Sequence, residues 1–109
     1  MSDLASTPDP PYYAVIFTSV RTEVEQAEYD AAADRMMELA RQQPGYLGVE
    51  HARTPGGPGI TVSYWADEAS INAWRDHAEH QQAQTAGREK WYDSFALRVA
   101  RVESARNTP

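Results

Sequence analysis

The chain has 109 residues, a formal charge of −6 and no cysteine. That length fits one domain. The acidic balance argues against nucleic acid or an anionic membrane as partner, because both attract basic surfaces. The missing thiols exclude disulfides, thiolate nucleophiles and Cys-ligated metals. Apolar residues make up 41% of the chain, enough for one core. A domain this small buries only about 60–70% of its unfolded surface, so a partner subunit would help it. No apolar run nears the roughly 20 residues of a membrane span. The N-terminus has neither the basic start nor the apolar centre of a signal peptide, so a cytoplasmic location is expected.

In chain order, residues 1–11 carry three prolines and read as a flexible leader. The domain is expected over 12–104, with a frayed tail at 105–109. Residues 12–20 (YYAVIFTSV) are β-branched and aromatic, the pattern of a buried strand. Residues 25–43 read as a helix: Tyr29, Ala32, Ala33, Met36, Met37 and Ala40 recur at spacings that share one face. Glu25 and Glu28 suit its positive start and Arg41 its end, and Pro44-Gly45 stops it. Residues 46–53 (YLGVEHAR) and 59–65 (GITVSYW) read as a hairpin joined by the turn TPGGPG at 54–59. Alternation along the second of these strands sets Ile60, Val62 and Tyr64 apart from Thr61, Ser63 and Trp65. Asp67 is the expected cap of a second helix running from 68 toward 87, with Ile71, Trp74 and Ala78 on its apolar stripe and a break near 77–79. Residues 92–103 read as the last strand, with Phe95, Leu97 and Val99 on one face.

The order β-α-β-β-α-β predicts an α+β fold, the ferredoxin-like split βαβ arrangement: a four-stranded antiparallel sheet with helices on one face. Helices on one side leave the other face of the sheet uncovered. Burying that face against a second copy is the physical argument for a homodimer, a dimeric α/β barrel.

The segments QQPGYLGVEHAR, GITVSYWADEASINAW and AEHQQAQTAGREKWY resemble the antibiotic biosynthesis monooxygenase domain family over residues 12–103. The resemblance implies a dimeric α+β barrel of ferredoxin-like subunits. It also implies activities that include cofactor-independent oxygenation of phenols or quinols and, in other relatives, haem degradation. The haem-degrading relatives carry an Asn on the first strand and a His about ten residues after a tryptophan that falls at Trp74. Here YYAVIFTSV has no Asn, and Gln84 sits where that His is expected.

Aromatic and basic residues concentrate late in the chain: Trp65, Trp74, His77, His80, Arg88, Trp91 and Tyr92. A pocket between helices and sheet, walled by Trp74 and Trp91, suits a flat aromatic ligand. The simpler account is that the tryptophans fill core and interface while the polar groups face solvent. His80 is the candidate general base because an imidazole titrates near neutrality. Arg88 or Tyr92 would steady a developing oxyanion, with Tyr64 as a further donor. His77 and His80, three apart, share a helix face, but a complete metal site takes three or four ligands and no second cluster is evident, so no metal is expected. His51 has an adequate account as a surface partner of Glu50 and Arg53. Phosphate loops, the nucleophile elbow and the zinc-protease motif are absent.

The expectation is therefore a cofactor-free monooxygenase acting on a small aromatic molecule. The alternatives are a haem-binding or haem-degrading protein of the same fold and a non-catalytic small-molecule-binding or stress-response protein. As a first prediction, sedimentation at micromolar concentration should give twice the 12.2 kDa chain mass. The monomer mass alone would rule the dimer out.

Overall fold

The computed structural model describes residues 4–23 and 25–107. The ends of the expected leader (1–3) and tail (108 and 109) lie outside the described residues. The strands are β1 (Tyr12–Arg21), β2 (Tyr46–Arg53), β3 (Pro58–Trp65) and β4 (Tyr92–Val102). Among the described residues they form one sheet of order β2-β3-β1-β4, with every neighbouring pair antiparallel. The helices are α1 (Gln26–Arg41), α2 (Glu68–Arg75) and α3 (Ala78–Ala86). A π-helical turn over Gly87–Trp91 joins α3 to β4. This is the ferredoxin-like α+β fold, with each strand within one or two residues of its expected limits.

Register tells the two sheet faces apart, since residues paired across neighbouring strands share a face. Tyr13 pairs with Trp65 and Arg101, Val15 with Ser63 and Val99, and Phe17 with Thr61 and Leu97. Val15 packs on the core of Leu39, Ala40, Trp65 and Trp74, together with Met36, Tyr46 and Ile71, so this set faces the helices. Leu39, which the apolar stripe of α1 did not include, belongs to the core. It lies three residues beyond Met36, on the same side of the helix. Ile16, Ile60, Val62 and Tyr64 alternate onto the outer face.

The second helix does break, and the break falls at Asp76-His77. Asp67 caps α2 by accepting from the Ser70 N–H at 2.8 Å. Asp76 ends it, and His77 is extended. In an unbroken helix the Trp74 carbonyl would bond the amide four residues on. Here it accepts instead from the His77 N–H at 3.1 Å, and the His80 imidazole lies 2.9 Å away.

Residues 4–11 are tied to the sheet. The Ala5 N–H donates to Glu50 Oε2 at 3.0 Å and Thr7 Oγ1 donates to the Tyr12 hydroxyl at 3.1 Å. A Cβ on Gly48 would sit 2.8 Å from that of Ala5, so the leader crosses β2 closely. No described helix is long and apolar enough to cross a membrane.

The turn between α1 and β2 depends on Gly45, which has φ of +84° and accepts from the Ala66 N–H at 2.8 Å. An added Cβ would meet the Ser70 hydroxyl and lie 2.6 Å from Ser70 Cβ, at the start of α2. Gly45→Ala should therefore lower stability by about 1–3 kcal/mol, read as a drop in the urea midpoint at unchanged slope.

Candidate functional site

The sheet end where β3 closes carries Trp65. It is completely buried, and its Nε1–H is satisfied by Ser63 Oγ at 2.9 Å. Tyr46 meets it edge-on at 5.7 Å, and Trp74 from α2 stacks over it with ring centroids 6.5 Å apart. His80 stacks in turn on Trp74 at 4.2 Å and 15°, and His77 leans on the same indole at 5.5 Å. The aromatic layers thus run Trp65, Trp74, His80, from the sheet outward through α2 to α3.

The hydrogen bonds of His80 define its tautomer. A carbonyl oxygen can only accept, so at 2.9 Å from the Trp74 oxygen it is Nδ1 that carries the proton. The Gln84 amide, 3.4 Å from the same Nδ1, then finds its acceptor in the Arg75 carbonyl at 3.3 Å. Nε2 is left as the basic nitrogen, with no protein partner among the described residues. Burial is the main cause holding the imidazole below its ordinary value of 6.5, opposed by the bond to Trp74 and reinforced by His77. At neutral pH His80 is thus an uncharged, oriented base. His77 Nδ1 is buried with no protein partner among the described residues, an unfilled acceptor or donor beside the same indole.

The other expected site residues divide among three further places. Trp91 and Tyr92 belong to a second aromatic cluster, built on Tyr29 of α1. Tyr29 meets the Trp91 ring at 5.5 Å and the Tyr92 ring at 5.9 Å, and the Tyr92 hydroxyl lies 3.3 Å from that of Tyr29. Phe17 packs on Tyr92 at 5.2 Å and on Phe95 at 5.6 Å, and the Arg21 guanidinium lies over Tyr29 at 3.6 Å. Burial, then the Tyr29 hydroxyl, push the Tyr92 phenol far above its usual range, so it serves as a neutral donor. Tyr64 is on the outer face, donating to Glu50 Oε1 at 2.6 Å, with its phenol pushed up to about 12 by burial and that carboxylate.

Arg88 is exposed on the π-helical turn, with Thr85 Oγ1 at 3.4 Å. The structure does not bring it to His80, because the turn sends Trp91 inward and Arg88 outward. Arg21 and Tyr29 were not singled out in the sequence. In the sequence Tyr29 reads only as part of the apolar stripe of the first helix, and the one signal for Arg21 is its place at the end of a strand facing the helices. Among the described residues no group of three or more acidic, His or Cys side chains is placed to hold a metal.

An apolar strip connects the two clusters. Val99 is the cross-strand neighbour of Val15, which packs on the Trp65–Trp74 core, and Leu97 and Phe95 continue the strip to Phe17 and Tyr92. The helices leave it open: Phe95, Leu97 and Val99 are 47%, 57% and 50% exposed.

The family model for antibiotic biosynthesis monooxygenase matches residues 11–86, which include Trp65, Trp74 and His80. The chain belongs to this family. It is 54% identical over 106 residues to the uncharacterized protein YqjZ of Bacillus subtilis, covering 97% of this chain and 92% of that one. It is 28% identical over 93 residues to the jasmonate monooxygenase ABM of Pyricularia oryzae, covering 85% of this chain and 37% of that protein. In fold, it is similar to SnoaB of Streptomyces nogalater, a cofactor-independent oxygenase, with a TM-score of 0.71, 15% identity and coverage of 91% and 97%. It is also similar to a protein of Shewanella oneidensis, with a TM-score of 0.75, 13% identity and coverage of 90% and 98%.

The buried imidazole gives this family member a pH signature. Below 6.5 the unfolded chain binds a proton that native His80 resists, so stability falls on acidification through that window and recovers as pH rises. Urea unfolding between about pH 5 and 7 should show this loss in the parent and a smaller one in His80→Asn, which keeps a donor for the Trp74 carbonyl.

Proposed function

We propose that the protein is a cofactor-independent monooxygenase for a small aromatic phenol or quinol, with His80 as general base. The observation that carries the reading is the tautomer of His80: Nδ1 is committed to the Trp74 carbonyl, and burial keeps Nε2 unprotonated at neutral pH. A base poised this way suits removal of a phenolic proton. Family membership and the likeness to SnoaB support oxygenase chemistry without a cofactor.

The open strip of Val99, Leu97 and Phe95 offers a flat apolar floor beside the Trp74 layer. On this reading His80 takes the hydroxyl proton, and the electron-rich anion reduces O₂ directly. The substrate loses two hydrogens and gains one oxygen, and the second oxygen atom leaves as water. Tyr92, held neutral by burial, is the donor nearest the far end of the strip, in place of Arg88. His77, Trp65 and Trp74 shape the base's surroundings. The chain works as a homodimer through the outer face, where Ile60 is 47% exposed.

O₂ uptake with a panel of quinols and polycyclic phenols tests this. His80→Ala should lose about 10²–10⁴-fold in rate and His77→Ala far less. An unchanged His80→Ala rate across roughly pH 5–8, on a substrate the parent turns over, would remove His80 as the base.

A further inference from the structure

Trp91 is 95% buried by its 5% exposure, yet its indole Nε1–H has no hydrogen-bond partner among the described residues. An indole nitrogen can only donate, and buried donors in folded proteins are nearly always satisfied. The unsatisfied N–H therefore calls for an acceptor that the described residues do not provide.

Trp91 also lines a crevice of about 240 Å³ between α1 and α3. Ala32, Met36 and Ala83 give it apolar walls, and the polar side chains of Arg35, Glu79 and Gln82 also line it. Arg35 and Glu79 form a bridge from α1 to α3, with Nε–Oε2 and Nη2–Oε1 both at 3.2 Å. Both side chains are about half exposed, a setting in which ion pairs hold weakly and open readily. Trp91 itself is fixed from behind: its carbonyl accepts from the Thr22 N–H at 2.9 Å and from Arg21 Nε at 3.3 Å, and Tyr29 meets its ring edge-on. The π-helical turn that delivers it is a kind of local irregularity often found at functional sites.

We propose that this crevice is a ligand site separate from the Trp74–His80 layer, taking a compact single-ring molecule whose oxygen accepts from Trp91 Nε1–H. The volume sets the size. At about 30 Å³ per water it holds the equivalent of roughly eight waters, which is one substituted ring and not a polycyclic skeleton. The apolar walls of Ala32, Met36 and Ala83 suit the ring, the indole N–H takes an acceptor, and the Gln82 amide is a second polar group within the lining. Met36, with its flexible thioether side chain, gives way to let the oxygen reach the indole. The Arg35–Glu79 bridge spans the mouth and parts on entry. No ring contact joins Trp91 to Trp74 among the described residues, so the site does not depend on the proposed catalytic role of His80.

The test is an amide and indole ¹H–¹⁵N titration of the full chain with acetophenone, a neutral ring bearing one carbonyl, against ethylbenzene, the same shape without it. The Trp91 indole resonance should move downfield and saturate at millimolar acetophenone, while ethylbenzene binds at least tenfold more weakly. Trp91→Phe and Ala83→Leu, the second filling the crevice and keeping the indole, should each weaken acetophenone at least tenfold. His80→Asn should not. An unmoved Trp91 resonance, equal binding of ethylbenzene, or parent-like binding by Ala83→Leu would overturn the proposal. Should Trp91→Phe not fold, the parent titrations and Ala83→Leu decide it.

Discussion

The stack of Trp74 on Trp65 is the contact on which the rest of the molecule depends. Trp65 ends β3 with its indole nitrogen satisfied by Ser63, two residues back on the same strand and face. The ring therefore enters the core with no polar group left dry, which removes the usual cost of burying a tryptophan. Leu39 and Ala40 of α1, Tyr46 of β2 and Val15 of β1 all gather on this unit. One large side chain thus ties β1, β2 and β3 to α1 and α2, as a domain with few fully buried residues requires.

The same stack determines the chemistry available above it. The chain leaves α2 one residue after Trp74's turn is complete, and the Trp74 carbonyl takes the His80 ring as partner. The helix break and the tautomer of His80 therefore have one origin, while the lowered basicity of its ring comes from burial and is opposed by that same bond. A histidine in an unbroken helix at this position would point along the helix surface into water. Here it lies flat on an indole, and its outward nitrogen is the basic one.

The aromatic residues that cluster in the sequence divide in space. Trp65, Trp74, His77 and His80 form one group, and Trp91 and Tyr92 join Tyr29, Phe17 and Phe95 in another. The π-helical turn causes the division: its wider winding sends Trp91 under α1 while Arg88 stays in solvent. Between the groups, β4 exposes its apolar row because it is an edge strand and α3 leans on α1, through Arg35 and Glu79, more than on the sheet.

The order of elements, the limits of the strands and the site of the helix break were legible in the sequence, because they rest on local causes. These are alternation in the strands, the Asp67 cap, and Pro44-Gly45 after the first helix. The family too was legible, since its motifs lie in contiguous segments such as QQPGYLGVEHAR. Position 39 escaped because a single-face stripe omits the residue at the edge of the buried arc. What the tertiary structure alone decided is which of the late aromatic and basic residues meet. Side chains a few positions apart diverge once a π turn intervenes, as Arg88 and Trp91 do, and residues 63 apart converge, as Tyr29 and Tyr92 do. The proton on His80 was decided there as well: its placement depends on a carbonyl that is free only because the helix stops, and no spacing of residue types records a missing hydrogen bond.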